Sequence, residues 1–217
     1  MAAPPKTRTP RKRLSAADRR HAILDAALEV FSRRGYNGAS IDEIAQAAGI
    51  SKALIYEHFP SKKDLHVSLL ERHVQDIFVR LAETADTGDP GEMRLRNGVN
   101  AFFEWVERHP DAFRLLFRDT FEIDVAEVLA RLQAQATGAI AALIAAEPAE
   151  QAPGDREVDF KLAIEALAQQ LSGAVQSLAI WWQSHPDIER DWLVDRVMEY
   201  CWLGLERVRA GERAIRP

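Results

Sequence analysis

The stretch that most restricts this chain is Ser40 to Asp64, SIDEIAQAAGISKALIYEHFPSKKD. Ser40 is a good N-cap with Glu43 three residues on, a capping box that satisfies amides left open at a helix start. Ile41, Ile44, Ala45 and Ala48 then mark one face at helical spacing. Ala45 is small, as needed where two helices cross closely. Gly49 suits the left-handed conformation that commonly ends a helix. Ile50 is apolar, and Ser51 caps a second helix expected to run to about His58. Ile55 and Phe59 point inward from it, leaving Lys52, Ala53, Leu54, Tyr56, Glu57 and His58 on its more open sides. Pro60 stops that helix, and Ser61 with Asp64 caps the next. The expected result is two short helices joined by a tight glycine turn.

A helix-turn-helix of this kind implies a partner, because its second helix fits the DNA major groove. The charge distribution agrees. The chain is net −5, yet residues 1–66 hold 12 Lys and Arg against 7 Asp and Glu, and the remainder holds 16 against 26. A basic module on an acidic body is expected where one part meets phosphate and the other does not. The asymmetry is steepest at the N-terminus, which carries Lys6, Arg8, Arg11, Lys12, Arg13, Arg19 and Arg20 against Asp18 alone. Pro4, Pro5 and Pro10 break any helix there, so residues 1–13 read as a disordered basic arm. Arg11, Lys12 and Arg13 are its candidate phosphate or minor-groove contacts. Leu14 to Arg34 reads as an amphipathic helix with Ile23, Ala27, Val30 and Phe31 in one stripe, ended by Gly35-Tyr36-Asn37-Gly38. Three helices around a small core give the turn motif support that it lacks alone.

Residues 18–71 resemble the DNA-binding domain of the TetR family of bacterial transcriptional regulators. The resemblance rests on Ile23, Ala26, Ala27, Phe31, Gly35-Tyr36, Ser40, Ile44-Ala45, Ala48-Gly49-Ile50-Ser51, Leu54, Ile55-Tyr56, His58-Phe59-Pro60-Ser61-Lys62 and Leu65. It implies an all-α homodimer with one helix-turn-helix per subunit and a larger ligand-responsive domain. By position it places Lys52, Ala53 and Leu54 at base edges, and Ser40, Ser51, Tyr56, His58 and Lys62 at phosphates. Many members carry Gly where this chain has Ala53, and an aromatic or basic residue where it has Glu57. Ala53 keeps the approach close and suits a thymine methyl; Glu57 either turns from phosphate or accepts from a cytosine amino group. Lys52 is the long donor of the set and the best candidate reader of guanine. The rest of the specificity falls to DNA shape and to the symmetry of two half-sites about one helical turn apart.

The expected organisation is therefore a basic arm at 1–13, a helix-turn-helix head at 14–64, and a helical ligand-binding and dimerisation domain at 65–217. A helix from Leu65 to about Ala85, with Leu69, His73, Ile77 and Leu81 on one face, links the two. Loops are expected at 84–91 and 146–155. Between them, Leu95, Val99, Phe102, Phe103 and Val106 mark one helix, Pro110 to Arg118 a short one, and Phe121 to Leu143 a third. Phe160 to Trp182 keeps one apolar face. The last helix, Asp187 to about Val208, is apolar nearly all round, which calls for cover on two sides. A second subunit is the economical cover, and the resemblance likewise implies a four-helix bundle between two-fold mates. The candidate interface is Val175, Leu178, Trp182, Leu193, Val197, Tyr200, Cys201 and Gly204, with Gly173 and Gly204 permitting close crossing.

Phe102, Phe103, Trp105, Phe113, Phe117, Phe121 and Trp181 are candidates to line an apolar or aromatic ligand pocket, though the same residue types equally build cores. The echo Trp105-x3-His109-Pro110-Asp111 and Trp181-x3-His185-Pro186-Asp187 reads as helix punctuation rather than a metal pair. No metal or cofactor is expected, nor catalysis: there is no HExxH, GxSxG, P-loop or GxGxxG, and Cys201 is alone. No signal peptide is expected, and the longest wholly apolar run, 139–146, is far short of a membrane span, so a cytoplasmic location is expected. The expected partners are near-palindromic double-stranded DNA, a second copy of the chain and a small molecule. The alternative is a helical scaffold using the same corner for protein contacts; it predicts no DNA affinity even at low salt, where a regulator binds with steep salt dependence.

Overall fold

The computed structural model describes residues 15–85, 87–117, scattered helical positions between 130 and 141, and residues 157–209. The basic arm with Arg11, Lys12 and Arg13, the loop at 146–155, Phe121 and most of the helix expected around it lie outside the described residues. Among the described residues the fold is all-α.

Helix α1 (Ala16–Gly38) begins two residues later than the sequence reading places it. Ser15 accepts from the Asp18 amide at 3.0 Å, and its own amide donates to the Asp18 carboxylate at 3.3 Å. This capping box fixes the start. Ile23, Leu24, Ala27, Val30 and Phe31 form its buried face. Gly35, at φ +70°, breaks the helix where expected, in a conformation that suits glycine.

Helix α2 (Ile41–Ala48) carries the Ser40–Glu43 capping box. At its far end Gly49 is left-handed, with φ +66°. The Gly49 amide reaches the Gln46 carbonyl at 3.1 Å and the Ile50 amide reaches Ala45 at 3.0 Å, which satisfies carbonyls the helix leaves open. Ser51 then caps α3 (Lys52–His58), accepting from the Leu54 amide at 3.3 Å. Ile55 and Phe59 anchor it in the core. Ser61 accepts from the Asp64 amide at 3.1 Å and donates to its carboxylate, and α4 (Lys62–Ala85) follows as one uninterrupted helix.

Helix α4 packs on α1 through its first half and on α5 (Gly91–Arg108) through its second. Helix α6 (Pro110–Phe117) returns to lie against α1. Helices α7 (Glu157–Trp182) and α8 (Arg190–Arg209) complete the body, with α8 against α5. The core is continuous from Ile23 in the head to Met198 in α8. Polar ties cross it: Trp105 Nε1 donates to Asp76 at 2.8 Å, and Arg96 pairs with Asp195 at 2.8 Å.

The structure bears on three expectations about the body. Helix α8 starts at Arg190, not Asp187, because Trp182 Nε1 bonds the Ile188 carbonyl at 2.8 Å and the chain spends residues 183–189 turning. Val175, Trp182, Leu193 and Val197, four of the candidate interface residues, are buried within the single chain. They form the inner face of the α7–α8 pair and are covered from within; Trp182, for example, meets Phe103 of α5 edge-on at 6.0 Å. Of the remaining candidates, Tyr200 is exposed, Leu178 and Cys201 are half-buried, and Gly204 lies on α8. Trp181 does not join the aromatic cluster. It is exposed, stacked on His185 at 4.0 Å, one residue away from the tryptophan that does.

Candidate nucleic-acid interface

A short helix becomes a reading head only if its inner side chains hold it and its outer ones are bare. In α3, Ile55 is fully buried, as is Phe59 just beyond its end, while Lys52, Ala53, Tyr56 and Glu57 are exposed and Leu54 and His58 half-buried. The structure thus brings the expected base-edge residues Lys52, Ala53 and Leu54 to the first turn of one outward helix. Ser51, which caps that turn, is exposed beside them.

Electrostatics at that face differ from a simple count of positive residues. Lys52 Nζ lies 2.9 Å from Asp42 Oδ2 of α2, across the glycine turn. The hydrogen bond and the charge of Asp42 hold the lysine above its ordinary pKa. Arg34 lies 3.7 Å from Glu43, whose carboxyl is held low mainly by its hydrogen bonds to Ser40. Lys62 Nζ sits 4.4 Å from the centre of the Tyr36 ring. Arg20, read from sequence as part of the basic terminus, is turned inward: it donates to the His58 carbonyl at 3.2 Å and to Ser68 at 3.1 Å.

The expected phosphate residues separate accordingly. Tyr56 is exposed on the outer face. Lys62 and His58 are half-buried at the carboxyl end of α3 and the start of α4. Ser40 gives its hydroxyl to the Glu43 carboxylate at 3.0 Å, so its established work is capping α2. Ser51 accepts from Leu54 and keeps its hydroxyl proton for another acceptor. Two residues not assigned to the surface from sequence complete it: Asp42, partner of Lys52, and Tyr36, which carries Lys62 on its ring. Tyr36 belongs to the family pattern, but neither pairing can be read from sequence, since both cross between elements.

The candidate pocket residues gather around α5 and α6. Phe102 meets Phe103, Phe113 and Phe117 edge-on at 5.8, 6.4 and 6.4 Å. Phe103, Phe113 and Trp105 are fully buried, whereas Phe102 and Phe117 are half-buried. Among the described residues no group of His, Cys, Asp and Glu is arranged to hold a metal, and no helix is long and apolar enough to cross a membrane. Cys201 is free, and burial raises its thiol pKa.

A supported, outward-facing helix-turn-helix on an all-α body defines a DNA-binding transcriptional regulator. The family of bacterial regulatory proteins of the tetR type matches residues 23–69, and the tetracyclin repressor-like C-terminal domain matches residues 91–204. The chain belongs to the TetR family of transcriptional regulators, which is not an enzyme family. It is 32% identical to the HTH-type transcriptional activator FasR of Mycolicibacterium smegmatis, over 90% of this chain and 87% of that protein. A TetR-like regulator from Rhodococcus sp. RHA1 superposes with a TM-score of 0.71 at 29% identity, covering 89% of this chain and 99% of its own. FadR of Bacillus subtilis, solved with stearoyl-CoA, shares the fold at 16% identity, with a TM-score of 0.69 and coverage of 89% and 99%.

Proposed function

We propose that this protein is a dimeric repressor that holds a near-palindromic operator through α3 and leaves it when an apolar or aromatic molecule enters the helical body. In this reading residues 14–64 are the head, residues 65–217 bind ligand and pair subunits, and the protein works on DNA in the cytoplasm. The observation that carries it is the bare outer face of α3, with Lys52, Ala53 and Tyr56 exposed over a buried Ile55. Ser51, His58 and Lys62 border that face and are assigned to phosphate. The half-buried pair Phe102 and Phe117 marks the side from which a ligand reaches the aromatic cluster.

Dimerisation is assigned to surface that one subunit leaves uncovered. Leu162, Ile180 and Trp181 of α7 and Trp192, Tyr200 and Leu203 of α8 are large apolar side chains exposed in the single chain. On α7 they flank Gly173, where an added Cβ would meet open space. Apolar stripes on two neighbouring helices, with a glycine between, fit a two-fold four-helix contact.

Binding to a promoter fragment across a salt series tests the reading. Steep loss of affinity with salt and release of DNA by an added acyl-CoA, with stearoyl-CoA as the first probe, support it. No DNA affinity at low salt returns the chain to the scaffold alternative. The similarity to an activator favours a second reading of the outcome, in which the same operator binding recruits rather than blocks transcription. The position of the bound site relative to the promoter decides between them.

A further inference from the structure

Asp42 stands outside the recognition helix, on the first turn of α2, and its role is not capping. Glu43 makes the capping box with Ser40, while the Asp42 carboxylate receives Lys52 Nζ at 2.9 Å across the turn. Both side chains are substantially exposed, at 71% and 49%. An ion pair so open to water adds little stability. What it does is draw Lys52, the only Lys or Arg side chain on α3, toward Asp42 and set a second acceptor oxygen beside it.

The spacing of that acceptor and donor has a counterpart in the major groove. Guanine O6 and cytosine N4 of one base pair are themselves joined by an N–H···O hydrogen bond, about 2.9 Å long. We propose that Asp42 and Lys52 act as one reader of a single G·C pair in each half-site, Lys52 donating to guanine O6 and Asp42 accepting from cytosine N4. The assignment rests on the DNA-reading role proposed for α3.

The chemistry discriminates among all four pairs. An ammonium has three donors, so with one on Asp42 two remain for guanine O6 and N7. The reversed pairs C·G and A·T present donor and acceptor in the opposite order. A T·A pair keeps the order but offers a methyl where guanine has N7, and sets adenine N7 against the carboxylate. The same carboxylate disfavours phosphate, so Asp42 also weakens binding to unrelated sequence.

Selection of bound DNA from a random pool by full-length protein tests this, comparing wild type with Asp42→Ala, Lys52→Ala and the double variant. Wild type is expected to prefer G·C by about tenfold or more at one position of each half-site. Asp42→Ala is expected to reduce that to about threefold or less there, to leave other positions unchanged, and to bind random DNA more tightly. The double variant should show the same preference at that position as Lys52→Ala, because the pair reads as a unit. Asp42→Leu, which keeps the size of the side chain but has no acceptor, guards against a cavity or folding effect and should also lose the preference. Unchanged preferences in Asp42→Ala, or equal loss of affinity for all sequences, overturn the assignment while the DNA reading stands. Wild-type protein that selects no motif overturns both.

Discussion

Arg20 of α1 places its guanidinium carbon 4.2 Å from the centre of the Phe59 ring and donates to the carbonyl of His58, the last residue of α3. A residue that composition counts with the basic N-terminus is therefore a clasp on the recognition helix. Its planar fork reaches Ser68 of α4 as well, at 3.1 Å, and lysine cannot reproduce three contacts in fixed directions. Arg20→Lys should cost about 1–2 kcal/mol of stability in urea unfolding, from a lost hydrogen bond and a weakened cation–π contact. DNA affinity should fall by more than any other Arg→Lys change on the exposed side of α1.

The turn makes a second prediction. Gly49 is left-handed at φ +66°, with nothing within 4 Å of where a Cβ would stand. The cost of Gly49→Ala is thus backbone conformation and not collision, about 1–2 kcal/mol by thermal or urea unfolding. Gly49→Asn should recover part of it, since asparagine tolerates that region better.

Acid should weaken the fold through two histidines. His66 is buried with its ring centroid 4.8 Å from those of Phe31 and Tyr36, and neither ring nitrogen has a partner. Burial, and secondarily the charge of Lys62, lowers its pKa to about 4. His73 is lowered to about 4 chiefly by burial, then by Arg72 and His109, with Asp76 and Asp25 opposing. The unfolded chain takes up these protons near pH 6.5 and the folded one near pH 4. Stability is therefore complete above about pH 6.5 and falls as pH drops toward 4, by up to about 3 kcal/mol per histidine. His66→Leu should remove roughly half of that slope while changing stability little at pH 7.5, as measured by urea unfolding across pH.

Tyr56 is 44% exposed on the outer face of α3. If its hydroxyl holds a phosphate, Tyr56→Phe weakens binding to specific and random DNA alike, by about 1 kcal/mol for one neutral hydrogen bond. Fluorescence anisotropy with both DNAs measures it. A loss confined to the specific site would reassign the residue to base reading.

Much of the head was legible because its signals are local. The Ser40–Glu43 box, the Gly49 turn and the Ser51 cap each act within a few residues, so residue order contains them. Where reading failed, contacts spanned elements. Arg20 and Lys52 look like free cations in a count of charges, yet their partners lie 38 and 10 residues away. The apolar last helix shows that more than one of its sides is hydrophobic, but not which side packs within the chain. Val197 and Tyr200, three residues apart, lie only about 60° apart around the helix, and periodicity does not say that one is buried and the other exposed. Trp181 and Trp182 make the same point, since adjacent residues on a helix point about 100° apart and only packing decides which is inside.

Helix α4 has 24 residues without a break, a rod about 36 Å long. Its first turn carries Lys62 beside the DNA-facing surface, and its middle carries Asp76 under Trp105. A rod of that length multiplies small angles: a tilt of about 5° moves its far end by about 3 Å. Successive bases on a strand stand about 3.4 Å apart. Asp76 stands 14 residues, about 21 Å, from Lys62, so in the proposed dimer a tilt of about 5° pivoting at Trp105 shifts each head by about 2 Å, more than half of one base step.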